Sequence, residues 1–68
     1  MTLLRVNGVE AEVAAGTIAD LLALRGIDPQ ARFLAVAVNG AVVRRSEWSA
    51  QALTHGDDVE IVRPLQGG

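Results

Sequence analysis

Two Asn-Gly dipeptides constrain the folding of this 68-residue chain more than any other feature. Asn7-Gly8 and Asn39-Gly40 each lie between two short apolar runs. Both central residues of a type I′ turn need a positive φ, which asparagine and glycine tolerate best, so Asn-Gly in this setting is a strong hairpin signal. The sequence therefore predicts two β-hairpins, one in each half of the chain.

The first hairpin is predicted to join strands at residues 2–7 and 9–14. From Val9 to Val13, apolar residues alternate with glutamates, which is the pattern of a half-buried strand. We therefore expect Val9, Ala11 and Val13 to face the core and the glutamates to face water. In the first strand, the same alternation directs Leu4 and Val6 inward.

The second half of the chain is predicted to hold three strands. Alternation predicts strands at 33–38 and 41–43 around the second Asn-Gly turn, and a last strand at 59–63. Between them, Ser46 is expected to cap a single helical turn at 47–50. Pro64 follows the last strand, and proline cannot donate to a sheet.

One helix is predicted at residues 18–25, between the two hairpins. Thr17 is typical of an N-cap, and Asp20 stands three residues later as in a capping box. Gly26 suits the left-handed position after the helix, and Ile27 can then pack back on Leu22. The order β-β-α-β-β-β predicts an α+β domain, with one helix across a mixed sheet and the last strand parallel to the first.

Size and composition exclude several classes of protein. The chain is predicted to form one domain at 1–63, followed by a flexible tail at 64–68. It has no cysteine and a net charge of −2, so it has neither a thiolate site nor the basic footprint of a nucleic-acid-binding protein. No apolar run reaches membrane-spanning length and no signal peptide is evident, so we expect a cytoplasmic location and no membrane partner.

Few residues suggest catalysis or metal binding. His55 precedes Gly56-Asp57-Asp58, where a surface turn is the favoured interpretation, and two adjacent carboxylates without further ligands are weak support for a cation site. Gly16-Thr17 opens the helix, but the rest of a phosphate loop is missing. No metal site and no bound cofactor are predicted.

The chain also has one tryptophan, one pair of adjacent arginines and a Gly-Gly end. Trp48 is expected to fill the core, and Arg44 and Arg45 are expected to be solvated. The sequence ends in Gly67-Gly68, which lacks side chains and could lie extended in a narrow tunnel.

Together these features resemble the ubiquitin-like β-grasp family, and within it the sulfur carrier proteins of thiamine (thiazole) biosynthesis. The resemblance rests on the order of the elements and on five short segments of the sequence. These are Val38-Asn39-Gly40, Val43-Arg44-Arg45-Ser46-Glu47-Trp48, Gly56-Asp57, Val59-Glu60-Ile61-Val62 and Gly67-Gly68. The Arg-x-x-Trp spacing of Arg45 and Trp48 is the more specific element, because many β-grasp proteins end in Gly-Gly. The segment Arg63-Pro64-Leu65-Gln66 departs from the family pattern.

The resemblance implies a carrier and not an enzyme. In such carriers an activating enzyme uses ATP and magnesium to adenylate the terminal carboxyl, here that of Gly68. Sulfur from a sulfurtransferase then displaces AMP and leaves a thiocarboxylate, which thiazole synthase receives. Gly67 would thread the enzyme's tunnel.

A carrier must also dock on its enzymes. The sheet face opposite the helix is the candidate surface, and an apolar patch there would be typical of a partner site. By alternation it presents Leu3, Arg5, Ala35, Ala37, Glu60 and Val62. The protein is otherwise expected to be a monomer.

Three other functions remain open at the level of sequence. The small subunit of molybdopterin synthase ends in the same way, although the spacing of Arg45 and Trp48 favours the thiazole carrier. A ubiquitin-like modifier would be conjugated to lysines through Gly68. A plain interaction module would be indifferent to the loss of Gly67-Gly68.

Overall fold

The computed structural model describes residues 1–63, in which five strands form one mixed sheet and a helix covers one face. Strands β1 (Thr2–Val6) and β2 (Val9–Val13) form the first hairpin, and β3 (Ala35–Val38) and β4 (Ala41–Val43) form the second. The helix α1 (Ile18–Leu24) connects the hairpins, and β5 (Asp58–Val62) ends the sheet-forming part. The strand order is β2-β1-β5-β3-β4. The α+β expectation is therefore confirmed.

Strand β5 lies in the middle of the sheet, although it is formed last in the sequence. It pairs parallel with β1, as predicted, and antiparallel with β3. Both predicted Asn-Gly turns are present with the expected positive φ, 51° and 83° at Asn7 and Gly8, and 52° and 85° at Asn39 and Gly40.

The two turn asparagines also hold β5 in place. Asn7 Oδ1 accepts a hydrogen bond from the Ile61 amide at 2.8 Å. Asn39 Oδ1 accepts one from the Asp58 amide at 3.0 Å. Because these bonds fall near opposite ends of β5, the position of that strand is fixed relative to both hairpins.

The helix begins and ends much as predicted. Thr17 is its N-cap and its hydroxyl accepts from the Asp20 amide at 3.1 Å. The Asp20 carboxylate accepts from Gly16 and not from Thr17, so the reciprocal half of the capping box is displaced by one residue. At the other end, the Ile27 amide bonds to Leu22 O, which completes the predicted Schellman motif around Gly26 at φ 68°.

The core lies between the helix and the inner face of the sheet. Ile18, Leu21 and Leu22 of the helix are completely buried. Inward residues of the strands meet them, and Trp48 fills one side with 3% of its surface exposed, as predicted. The remaining core residues are Leu4, Val6, Ala15, Ile27, Leu34, Val36, Val38, Leu53, Val59 and Ile61.

Three local predictions were wrong. Val9 is 65% exposed, because it lies at the outer corner of the edge strand β2, where only one neighbouring strand is present. Phe33 does not belong to the third strand and has a φ of 61°. Continuing the β3–β5 register would set Phe33 opposite position 64, a proline with no N–H to donate. The helical turn is a 3₁₀ turn at Arg45–Glu47 that follows Arg44, so Ser46 does not cap it.

The alternation along β5 can be tested by two substitutions of adjacent residues. Ile61 is 8% exposed and Val62 is 57% exposed. We expect Ile61→Asp to unfold the domain, because an unpaired buried carboxylate costs about 3 kcal/mol or more, a large share of the stability of so small a protein. Val62→Asp should change stability by about 0.5 kcal/mol or less. Urea unfolding followed by circular dichroism measures both, and unfolding by Val62→Asp would contradict the face assignment.

Candidate functional site

The sheet face opposite the helix holds the outward residues of β5, β3 and β4. Ala35 stands opposite Val62, and Ala37 opposite Glu60. On the other side of β3, Ala37 stands opposite Val42. Four of the six predicted docking residues are therefore direct neighbours on one surface.

The apolar members of this surface form what we call the outer patch: Ala35, Ala37, Val42 and Val62. Val42 is 78% exposed and Val62 is 57% exposed, and the two alanines between them have short side chains. Two exposed valines separated by small residues present a shallow apolar surface. Such a surface suits a transient protein contact.

The docking surface predicted from the sequence did not include Val42, although the sequence indicates that Val42 lies on the same face. A two-residue Asn39-Gly40 turn sets the register of its hairpin. Counting outward from the turn places Val42 opposite Ala37, which was already assigned to this face.

Leu3 and Arg5 lie apart from the outer patch. Arg5 stands opposite Asp58 at the start of β5, whereas Val62 ends that strand, four residues or about 13 Å further along. Arg5 also stands opposite Glu10 on β2, so its charge has acidic neighbours on both sides. Leu3 is only partly exposed. The predicted docking surface thus divides into an apolar part and a charged strip.

Asp57 organises the turn that leads into β5. Its carboxylate accepts from the Thr54 amide at 2.8 Å, and from the Asn39 amide group and the Thr54 hydroxyl at 3.0 Å. The Thr54 amide is the main cause that lowers the pKa of Asp57 below its ordinary value of 3.8, and the other two hydrogen bonds add to it against the opposing effect of partial burial. Asp57 is therefore a turn-forming residue, as predicted.

The other polar candidates also serve the fold. His55 Nδ1 accepts from the Leu3 amide at 3.3 Å, next to the bond from the Gly56 amide to Leu3 O. The Gly16 amide donates to the Asp20 carboxylate, so it is already occupied by a group of the chain itself. Within residues 1–63, no group of three or more His, Cys, Asp or Glu side chains could hold a metal ion.

Arg45 has more contacts than a solvated arginine. Its guanidinium donates to Pro29 O and to Ala31 O, the latter at 2.8 Å. It also lies 5.0 Å from the centre of the Trp48 ring, while the indole N–H donates to Val43 O at 2.9 Å. The Arg-x-x-Trp spacing noted in the sequence therefore links the loop before β3 to the core.

The predicted working residues Gly67 and Gly68, and the predicted tail at 64–68, lie outside the described residues. In the part of the chain that is described, no helix is long and apolar enough to cross a membrane.

The strand order, the single crossing helix of residues 1–63 and the exposed sheet face define a ubiquitin-like β-grasp domain. The ThiS family model matches residues 4–68, and the chain belongs to this family. This result confirms the resemblance drawn from the sequence. No curated protein sequence matches the chain.

Two solved structures are similar over almost the whole chain. A crystal structure of the thiamine biosynthesis protein ThiS from Geobacter metallireducens is 30% identical, with a TM-score of 0.79, and the match covers 98% of this chain and 100% of that one. An NMR solution structure of a thiamine biosynthesis protein from the same organism is also 30% identical, with a TM-score of 0.78 and coverage of 98% and 88%.

The lowered pKa of Asp57 predicts a pH-dependent contribution to stability. The folded state binds this proton less readily than the unfolded state does, so the stabilisation is complete above about pH 5 and declines as the pH falls through 3.8 and below. We expect Asp57→Asn to cost about 1 kcal/mol at neutral pH, since one acceptor oxygen becomes a donor. Urea unfolding of both proteins from pH 7 to pH 3 measures this difference. A difference that grows on acidification would contradict the assignment.

Proposed function

We propose that this protein carries sulfur for the formation of the thiazole of thiamine, on the carboxyl group of Gly68. The observation that carries the proposal is the match of the ThiS family over residues 4–68, which includes Gly67-Gly68. The two similar solved structures, both of thiamine biosynthesis proteins, support the same pathway.

The chemistry explains why such a carrier needs activation. A carboxylate is a poor acyl donor, because its leaving group would be oxide. An activating enzyme that binds ATP with magnesium transfers AMP to the carboxylate and releases pyrophosphate, and the leaving group is then a phosphate. The terminal sulfur of a sulfurtransferase persulfide forms the new C–S bond as the C–O bond to AMP breaks, which gives an acyl disulfide. A thiol then attacks the donor sulfur, breaks the S–S bond and forms a disulfide with the sulfurtransferase, while the carried sulfur stays on the acyl group. The product is a thiocarboxylate at Gly68.

The glycine pair suits delivery into an enclosed active site. Without Cβ atoms, Gly67 and Gly68 can pass through a tunnel too narrow for other residues. The carboxyl group is then the only reactive group that reaches the end. Thiazole synthase would receive the sulfur through a similar passage.

The folded domain serves recognition in this proposal. The outer patch offers the activating enzyme and the synthase a common surface beside the end of β5. Its small size fits contacts that must form and release in each cycle. The three polar candidates described above are each engaged in a turn or a cap of the fold. We therefore assign the chemistry to the partner enzymes and not to this domain.

The proposal is tested by ATP–pyrophosphate exchange with the adenylating enzyme of a thiamine pathway. Exchange should depend on this protein and on magnesium. The adenylating enzyme of a molybdopterin pathway is the matched control and should support little exchange. Equal or greater exchange with the control enzyme would instead favour a molybdopterin synthase subunit. Isopeptide-linked products on lysines would favour a protein modifier.

Gly67→Ala should leave folding intact and slow adenylation by on the order of 10²-fold, because a methyl group in a fitted tunnel displaces the reacting carboxyl. Gln66→Ala is the matched control and should retain most of the activity. Pyrophosphate exchange measures both variants. An unchanged rate for Gly67→Ala would rule out the tunnel.

Charged substitutions in the outer patch should weaken docking without affecting the chemical step. We expect Val42→Asp and Val62→Asp each to raise the KM for this protein about tenfold, because they place an unpaired carboxylate in the contact. The kcat should not change. Val9→Asp, on the far edge of the sheet, is the control. If Val42→Asp and Val62→Asp have the same KM as Val9→Asp, the outer patch is not part of the docking surface.

A further inference from the structure

One end of the sheet brings together the boundaries of four elements. Strand β5 ends at Val62, opposite the first residue of β3, Ala35. Strand β4 ends at Val43, opposite Val36. The end of α1 reaches the same place, since Arg25 and Arg63 line one depression of about 260 Å³. Residues 64–68 follow directly in the sequence from this end.

Nearly all the positive charge of the protein lies here. The chain has six basic residues, all arginines. One of them, Arg5, stands between acidic neighbours in the middle of the sheet. The other five occupy what we call the arginine end: Arg25, Arg32, Arg44, Arg45 and Arg63. The acidic residues in these segments are Asp28, whose carboxylate accepts from the Gln30 amide, and Glu47, which lies in the 3₁₀ turn with Arg45, so the arginines outnumber them.

This distribution gives a net acidic protein a positive end. The overall charge is −2, so the rest of the molecule is strongly acidic. Three carboxylates lie at the opposite end of the molecule. Asp57 directly precedes β5, Asp58 begins it, and Asp20 lies in the first turn of the helix. Such an asymmetry orients an approaching partner whose own surface is acidic.

The same end displays an exposed aromatic side chain. Phe33 has 79% of its surface in water, whereas Trp48, the other aromatic residue of the chain, is buried. Its φ of 61° is in the left-handed region, which is unfavourable for a bulky side chain by about 1–3 kcal/mol. The fold thus bears both an exposed aromatic surface and a strained backbone at one residue.

The loop that carries Phe33 is held in place by contacts to its backbone. Arg45 donates to the carbonyls of Pro29 and Ala31. The Ala31 amide donates to Asp28 O at 3.0 Å. Leu34, directly after Phe33, is buried in the core. Fixed on both sides, Phe33 is presented to solvent in a defined position, which lowers the entropy cost of using it as a contact.

We propose that Phe33 is an aromatic anchor that enters an apolar pocket on the adenylating enzyme, and that acidic residues around that pocket pair with the arginine end. This inference rests on the proposed function and specifies how its first partner recognises the carrier. Aromatic and arginine side chains dominate the binding energy of protein interfaces. The anchor is also two residues from Ala35, which is a member of the outer patch.

A protein partner fits these features better than nucleic acid does. The arginines occupy one end of a protein whose remaining surface is acidic, and a polyanion that follows a long basic track would meet repulsion there. A lone aromatic residue also offers no run of stacking platforms. A compact acidic pocket, in contrast, contacts only the positive end.

The test measures the KM for this protein in ATP–pyrophosphate exchange with the adenylating enzyme. Phe33→Ala should raise the KM about tenfold or more and leave the kcat unchanged. Val9→Ala removes a similarly exposed apolar side chain at the far edge and should change the KM less than about twofold. Phe33→Gly accepts the left-handed backbone without strain, so it should show the same KM effect while its unfolding midpoint stays at or above that of the wild type.

The arginines are tested by the salt dependence of the same KM. Arg32→Gln combined with Arg44→Gln should raise the KM severalfold at low salt and make it less sensitive to added salt. If Phe33→Ala and Phe33→Gly have the same KM as Val9→Ala, and the wild type supports exchange, the anchor is overturned and the carrier function stands. If the wild type itself supports no exchange, both the carrier function and the anchor are overturned.

Discussion

The position of β5 determines the rest of this structure. This strand is last in sequence, yet it lies between β1 and β3 and joins the two hairpins into one sheet. Hydrogen bonds from its Asp58 and Ile61 amides to the side chains of Asn39 and Asn7 fix it along its length. Each turn asparagine therefore shapes a hairpin and also positions the strand from which residues 64–68 continue.

Alternation along β5 separates the core face of the sheet from the proposed docking face. Val59 and Ile61 are buried against the helix, and Glu60 and Val62 face outward. Because the two faces use different side chains of the same strand, the outer surface can differ between carriers without loss of the core. In the proposed carrier the reactive group would be the carboxyl of Gly68, and the small core would then need no catalytic machinery beside it.

The sequence predicted the elements whose signals are local. Asn-Gly turns, a Thr17 cap, Gly26 after the helix and period-two alternation identified both hairpins and the helix. The failures depended on tertiary context. The exposure of Val9 follows from its place on an edge strand, and the left-handed Phe33 follows from where the β3–β5 pairing stops. The bonds of Arg45 to Pro29 and Ala31 join segments 14 residues or more apart, which no local pattern reveals.

The central claim is that this protein carries sulfur on Gly68. Its most direct test is the intact mass of the protein after incubation with the adenylating enzyme, a sulfurtransferase with its sulfur donor, ATP and magnesium. The account predicts a product in which one sulfur replaces one oxygen, and fragmentation that locates the change at Gly68. An unchanged mass, with an activating enzyme that loads a known carrier in the same mixture, would contradict it.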